Sequence, residues 1–192
     1  MATVVRLMLR VVVAPQSSKL VEERIVDYRE RMGKVVIISS EHSLDVIAMS
    51  LAAASRGINP QEALRSIYLS RAFNVFQAEN LMSETGPGVA AELKASIFLA
   101  VDIHELFLDE ENFSDRAKRF AQSVWRMKDN TRELTCELIF RSMGGRGSRG
   151  LLGSAISAAD ELEELKAVEL PKIMPPTLSS DPLSPSLRVL MR

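Results

Sequence analysis

What most constrains this chain is a recurrence of short, unbroken runs of branched aliphatic residues separated by helix-length segments. Residues 4–13 (VVRLMLRVVV), 34–39 (KVVIIS), 66–72 (SIYLSRA), 96–101 (SIFLAV) and 135–142 (TCELIFRS) each read as a strand. Runs without polar alternation belong to strands buried on both faces, and a parallel sheet covered by helices is what buries them. The intervening segments have helical signatures. Residues 19–32 place Leu20, Val21, Ile25, Val26 and Tyr28 on one stripe, with Gly33 at the C-terminal position that favours glycine. A small-residue helix over 44–55 ends at Gly57. Asn59-Pro60, with Glu62 in the first turn, opens another. Further helices are expected over 75–82, stopping before a Gly86-Pro87-Gly88 loop, and over 114–130, a charged amphipathic segment. The alternation predicts an α/β fold, a mostly parallel twisted sheet with helices on both faces.

Beyond Ser142 the pattern changes to a glycine–arginine loop, MGGRGSRGLLG, followed by an expected helix over 154–166. Five of the eight prolines lie from Pro171 onward, so residues 1–170 are expected as the core and 171–192 as an extended Pro-rich tail. No apolar run approaches the roughly twenty residues of a membrane span, since Arg6 and Arg10 interrupt the first. The single Cys136 forms no internal disulfide, which points to a reducing, cytoplasmic setting and a small buried core residue. Net charge is −1, so the whole-protein field does not announce a nucleic-acid binder, although arginine outnumbers lysine 17 to 7. His42 and His104 lack ligand-spaced cysteines or carboxylates, and no metal site is expected from them. Trp125, on the charged helix, reads equally as a core plug or a partner contact.

Three segments together resemble the RecA/RadA recombinase superfamily: VVIISSEHSLD, RGINPQEALRSIYLSRAFNVFQAENLM and IFLAVDIHELF. Their order and spacing match over residues 5–142, and SRAFN is the most specific piece. The resemblance implies a RecA-like core. In it Lys19 grips the β- and γ-phosphates of ATP, Glu41 orients the attacking water, and Asp102 holds Mg²⁺ through water. All three fall at C-terminal ends of strands, where open parallel sheets bind ligands.

Against the phosphate-binding pattern GxxxxGK[ST], however, the loop APQSSK is degenerate. Aligned on Lys19, the two glycine positions hold Val13 and Ser18, and the metal-ligating hydroxyl position holds Leu20. Ser17 and Ser18 retain hydroxyls near a helix N-terminus, where an anion is favoured. The family's first DNA loop corresponds to LDEENF, where Asp109, Glu110 and Glu111 repel phosphate. Its second corresponds to RSMGGRGSRG, where Arg141, Arg146 and Arg149 among glycines suit a single strand.

Each of these residues also has a plainer reading. Lys19 is then a surface lysine at a helix entrance, Glu41 a turn or cap residue, Asp102 a structural partner of Lys19, and the arginines a solvated linker. The expectation is a degenerate paralogue of the archaeal RadA/RadB type, an accessory protein of DNA recombination and repair with little or no ATP hydrolysis. Its partners would be a recombinase or a recombinase paralogue, single-stranded DNA, or further copies of itself. The alternatives are a weak ATPase using Ser17, Ser18 and Lys19, and a non-catalytic structural subunit without a DNA role.

Overall fold

The computed structural model describes residues 9–16, 19–40, 43–108, 113–141 and 146–165. Six strands, β1 (Leu9–Val13), β2 (Val35–Ser40), β3 (Ile67–Ala72), β4 (Ile97–Val101), β5 (Thr135–Phe140) and β6 (Glu161–Glu164), form one sheet in the order β3-β2-β4-β5-β1-β6. Every pairing is parallel. Around it lie α1 (Leu20–Met32), α2 (Val46–Ser55), α3 (Pro60–Arg65), α4 (Val75–Asn80), α5 (Gly86–Glu92), α6 (Phe113–Asn130) and α7 (Arg146–Ala158). The five expected strands fall where the aliphatic runs place them, and the segments 4–8 and 171–192 lie outside the described residues.

Strand alternation divides the core. Val36, Ile38, Phe98 and Phe140 point to one face, packed with Met82, Phe120, Val124 and Leu151 from the helices after β3, β4 and β5. Val35, Ile37, Leu99 and Ile139 point to the other, packed with Val21, Ile25, Met49 and Ala53 from α1 and α2. Helix starts are set by short polar side chains. The Asp45 carboxylate accepts from Ile47 N–H (2.8 Å) and Ala48 N–H (3.1 Å), and Asn59 accepts from Gln61 N–H (2.9 Å) ahead of Pro60.

Three expectations need correction. Gly86-Pro87-Gly88 is not a loop, because α4 runs through a π-helical turn, Leu81–Thr85, directly into α5. The wider turn lets Gly86 N–H reach Leu81 O. Pro87, having no N–H, leaves the Ser83 carbonyl without its helical donor, and the Asn130 side-chain amide donates to it instead. Glycine is required at 86 because a Cβ there would lie 2.3 Å from Leu81 O and 2.7 Å from the Phe98 ring. The second correction concerns the glycine–arginine loop, most of which is the helix α7. Leu151, Ala155 and Ala158, one turn apart, bury against the sheet and α6, and that burial overrides the poor helix propensity of glycine. Third, the helix expected over 154–166 ends at Ala158, and Glu161–Glu164 forms the edge strand β6.

A glutamate-rich strand needs cations, and they come from β1 and α1. Arg10 Nε donates to Glu161 (2.8 Å), and Arg24 makes two bonds to Glu163 (2.9 and 2.7 Å). Both arginines also bind Glu137, fully buried on β5, with Arg10 at 2.9 Å and Arg24 at 2.7 Å. The Tyr28 hydroxyl donates to the same carboxylate. Burial, then the Glu137 charge, pushes the Tyr28 phenol up from its usual value. For Arg24, burial is the largest single influence and opposes the charge, but the bonds to Glu137 and Glu163 outweigh it and raise its pKa. The Arg24 hydrogen bonds hold Glu163 below the ordinary carboxylate range despite partial burial.

Two predictions follow from these features. Gly86→Ala, by forcing the helix away from Phe98, should cost about 1–3 kcal/mol in a urea titration. A carboxylate depressed in the folded state adds stability that is present above its unfolded pKa and lost as pH falls through the folded one. Wild-type protein should therefore lose stability on acidification below about pH 4.5. The urea midpoint of Glu163→Gln should change less across that window, and parallel curves for the two proteins would refute the pairing.

Candidate functional site

The site lies where the connections diverge. After β1 the chain leaves to the α1 face, and after its neighbour β5 to the α7 face, so a crevice opens at the C-terminal ends of these strands. Ala14 N–H extends the β1–β5 ladder to Phe140 O (2.8 Å), and Pro15 then removes a donor from the turn. Lys19 is the residue before α1. It is exposed, makes no side-chain cap and lends its carbonyl to Glu23 N–H (3.0 Å). Ser17, Ser18 and Glu41 lie outside the described residues, as do Asp109, Glu110 and Glu111.

Asp102 follows β4 in the left-handed conformation (φ 51°), a geometry that aspartate tolerates better than most side chains. Its N–H bonds Ile139 O (2.9 Å), and its buried carboxylate faces the end of β5. Arg141, the residue after β5, closes on it twice: N–H to Oδ1 at 2.7 Å and Nε to Oδ2 at 2.7 Å. The same guanidinium donates from Nη1 to Glu22 Oε1 at 3.0 Å. Glu22, 2% exposed on α1, also accepts Asp45 N–H (3.3 Å) at the start of α2. One arginine thus ties the ends of β4 and β5 to α1, and through Glu22 to α2.

The plain alternative of an Asp102–Lys19 pair is corrected here. Asp102 pairs with Arg141, and Lys19 faces solvent at the same sheet edge. Glu22 belongs to the site although the sequence does not single it out. Its place three and four residues before Ile25 and Val26, on the buried stripe, is the signal that marks it as internal. Arg141 was singled out, but as a DNA contact rather than as the centre of a buried clamp. Arg149 is exposed on α7, where Arg146 is the first residue. Nearby, Ser40 Oγ donates to Glu105 Oε2 (3.2 Å), and the buried His104 ring lies 4.3 Å from that of Phe140. Among the described residues no group of three or more His, Cys, Asp or Glu is arranged to hold a metal ion. No helix among them is long and apolar enough to cross a membrane. Trp125 is 47% exposed with the Lys128 ammonium 5.5 Å from its ring, and so is not a core plug.

In charge terms the crevice holds two buried carboxylates against one guanidinium. Its arginine is spent on internal bonds, and an entering triphosphate would meet Asp102 and Glu22. The described residues do not fit a magnesium nucleotide. Leu20 cannot ligate the metal, Val13 is held in the ladder opposite Phe140, and both Asp102 oxygens already accept from Arg141. Comparison of the sequence with protein-family models and with curated proteins finds no match.

Arg141→Leu would leave two carboxylates buried without their cation, and should cost about 3–5 kcal/mol on chemical denaturation. Adding Asp102→Asn should recover part of that loss. A single-variant cost below about 1 kcal/mol would show that the clamp does not form.

Proposed function

We propose that this chain is a RecA/RadA-like accessory protein of DNA recombination and repair that turns over little or no ATP. The observation carrying this reading is the Arg141 clamp: the crevice of a recombinase-like sheet is closed from within by an ion pair rather than left open to phosphate. The strand order supports it. β5 lies between β1 and β4, so the loop before α1 and the acidic end of β4 share one edge, as the resemblance requires. A scaffold kept while its nucleotide chemistry is lost is what a mediator needs, since it works by binding.

Two surfaces suit the binding role. Arg149 is exposed on α7, close in sequence to Arg146, and offers a guanidinium to the backbone of single-stranded DNA. At the other end of the sheet, the outer edge of β3 pairs with no strand among the described residues. Phe73 and Phe76 are exposed beyond it, and an apolar cavity of about 190 Å³ is lined by Tyr68, Leu81 and Val89. Such an edge accepts an added strand with an apolar anchor, the contact proposed for a recombinase or recombinase paralogue.

Fluorescence anisotropy with a labelled oligonucleotide tests the DNA role. Arg146→Ala with Arg149→Ala should weaken binding and lower the log–log salt slope by about 1.4, roughly 0.7 per lost contact. Phosphate release in ATP and Mg²⁺ should stay at the blank and be unchanged by Lys19→Ala. Hydrolysis abolished by Lys19→Ala would make the protein a weak ATPase instead. Absence of single-strand binding would leave a structural subunit.

A further inference from the structure

Helix α2 contains no charged residue between Val46 and Ser55, and half of it has nothing apolar to rest on. Ala48, Met49, Ala52 and Ala53 face the core. The outward stripe, one helical turn apart, leaves Ile47 72% and Leu51 59% exposed, with Val46 beside them at 40%. A helix apolar on all sides is one that is covered on all sides.

The chain itself brings a cover to the right place. Leu165 N–H bonds Val13 O (2.8 Å) at the C-terminal edge of the sheet, and its side chain packs into the same core layer as Met49 and Ala53 of α2. The polypeptide therefore leaves β6 on the face and at the edge where α2 begins. It runs on through Arg192, and within it Ile173-Met174-Pro175-Pro176-Thr177-Leu178 places three large apolar residues around two prolines. Four strand spacings, about 19 Å, separate β6 from β2, the strand that leads into α2. The eight residues from Leu165 to Ile173 span up to about 26 Å, more than that lateral separation. The paired prolines restrict the backbone before docking, which lowers the ordering cost.

We infer that residues 173–178 dock on the outer stripe of α2, with Ile173, Met174 and Leu178 covering Ile47 and Leu51. This strap is independent of the DNA reading.

The test is limited trypsin digestion of the full chain, following cleavage after Lys172 by mass spectrometry. In wild-type protein this bond should be protected independently of protein concentration. Ile47→Asp with Leu51→Asp, both at exposed positions, should speed its cleavage about tenfold or more without changing cleavage in the folded core. As a second measure, Leu51→Cys with Ile173→Cys should form a disulfide within one chain on mild oxidation. Three results would each overturn the inference: equal cleavage in the wild type and the variant, protection that rises with concentration, or cross-links only between chains. The last two would assign the stripe to a second copy.

Discussion

A parallel sheet covered on both faces leaves no water for a charge, so every charged side chain that enters this one has to bring its partner. Two clusters obey that constraint, and between them they hold the architecture together. Glu137 enters from the middle of β5 and is met by Arg10, Arg24 and Tyr28, which in turn hold the glutamates of β6. Asp102 and Glu22 enter at the strand ends and are met by Arg141. Without the first cluster, a four-residue strand carrying three glutamates has little reason to pair with β1. Without the second, the ends of β4 and β5 and the start of α1 lose their common tie.

The second cluster also decides what the crevice can do. Open α/β sheets bind ligands where neighbouring connections leave to opposite faces, and phosphate sites there rely on unspent backbone donors and cations. In this protein that location is filled by its own ion pair, beside a turn that carries Pro15 and leads into α1 at Leu20. Arg149 on α7 and Phe73 and Phe76 near β3 are exposed.

Much of the framework was legible because it depends on local composition. The aliphatic runs at 35–38 and 97–101 have no polar alternation, so burial on both faces follows from the residues alone. Asn59-Pro60 announces a helix start by its own chemistry. The misread elements depend on distant residues. Pro87 breaks a helix unless something compensates, and the compensation, Asn130 reaching Ser83, comes from another helix. Glu161–Glu164 favours a helix until Arg10 and Arg24 stand opposite. Residues 146–153 look like a loop until α6 offers Leu151 a surface. At the site, Asp102 and Lys19 were found by position, whereas Glu22 was hidden among ordinary surface glutamates and Arg141 was assigned to solvent.

The sequence by itself determined the parallel α/β class, the order of most elements and the absence of glycine from the turn before α1, because each follows from residue type and near neighbours. Only the tertiary structure decided which arginine meets which carboxylate. Such pairs join residues from 39 to 151 positions apart, and a charge acquires its partner only when folding removes the water that would otherwise serve.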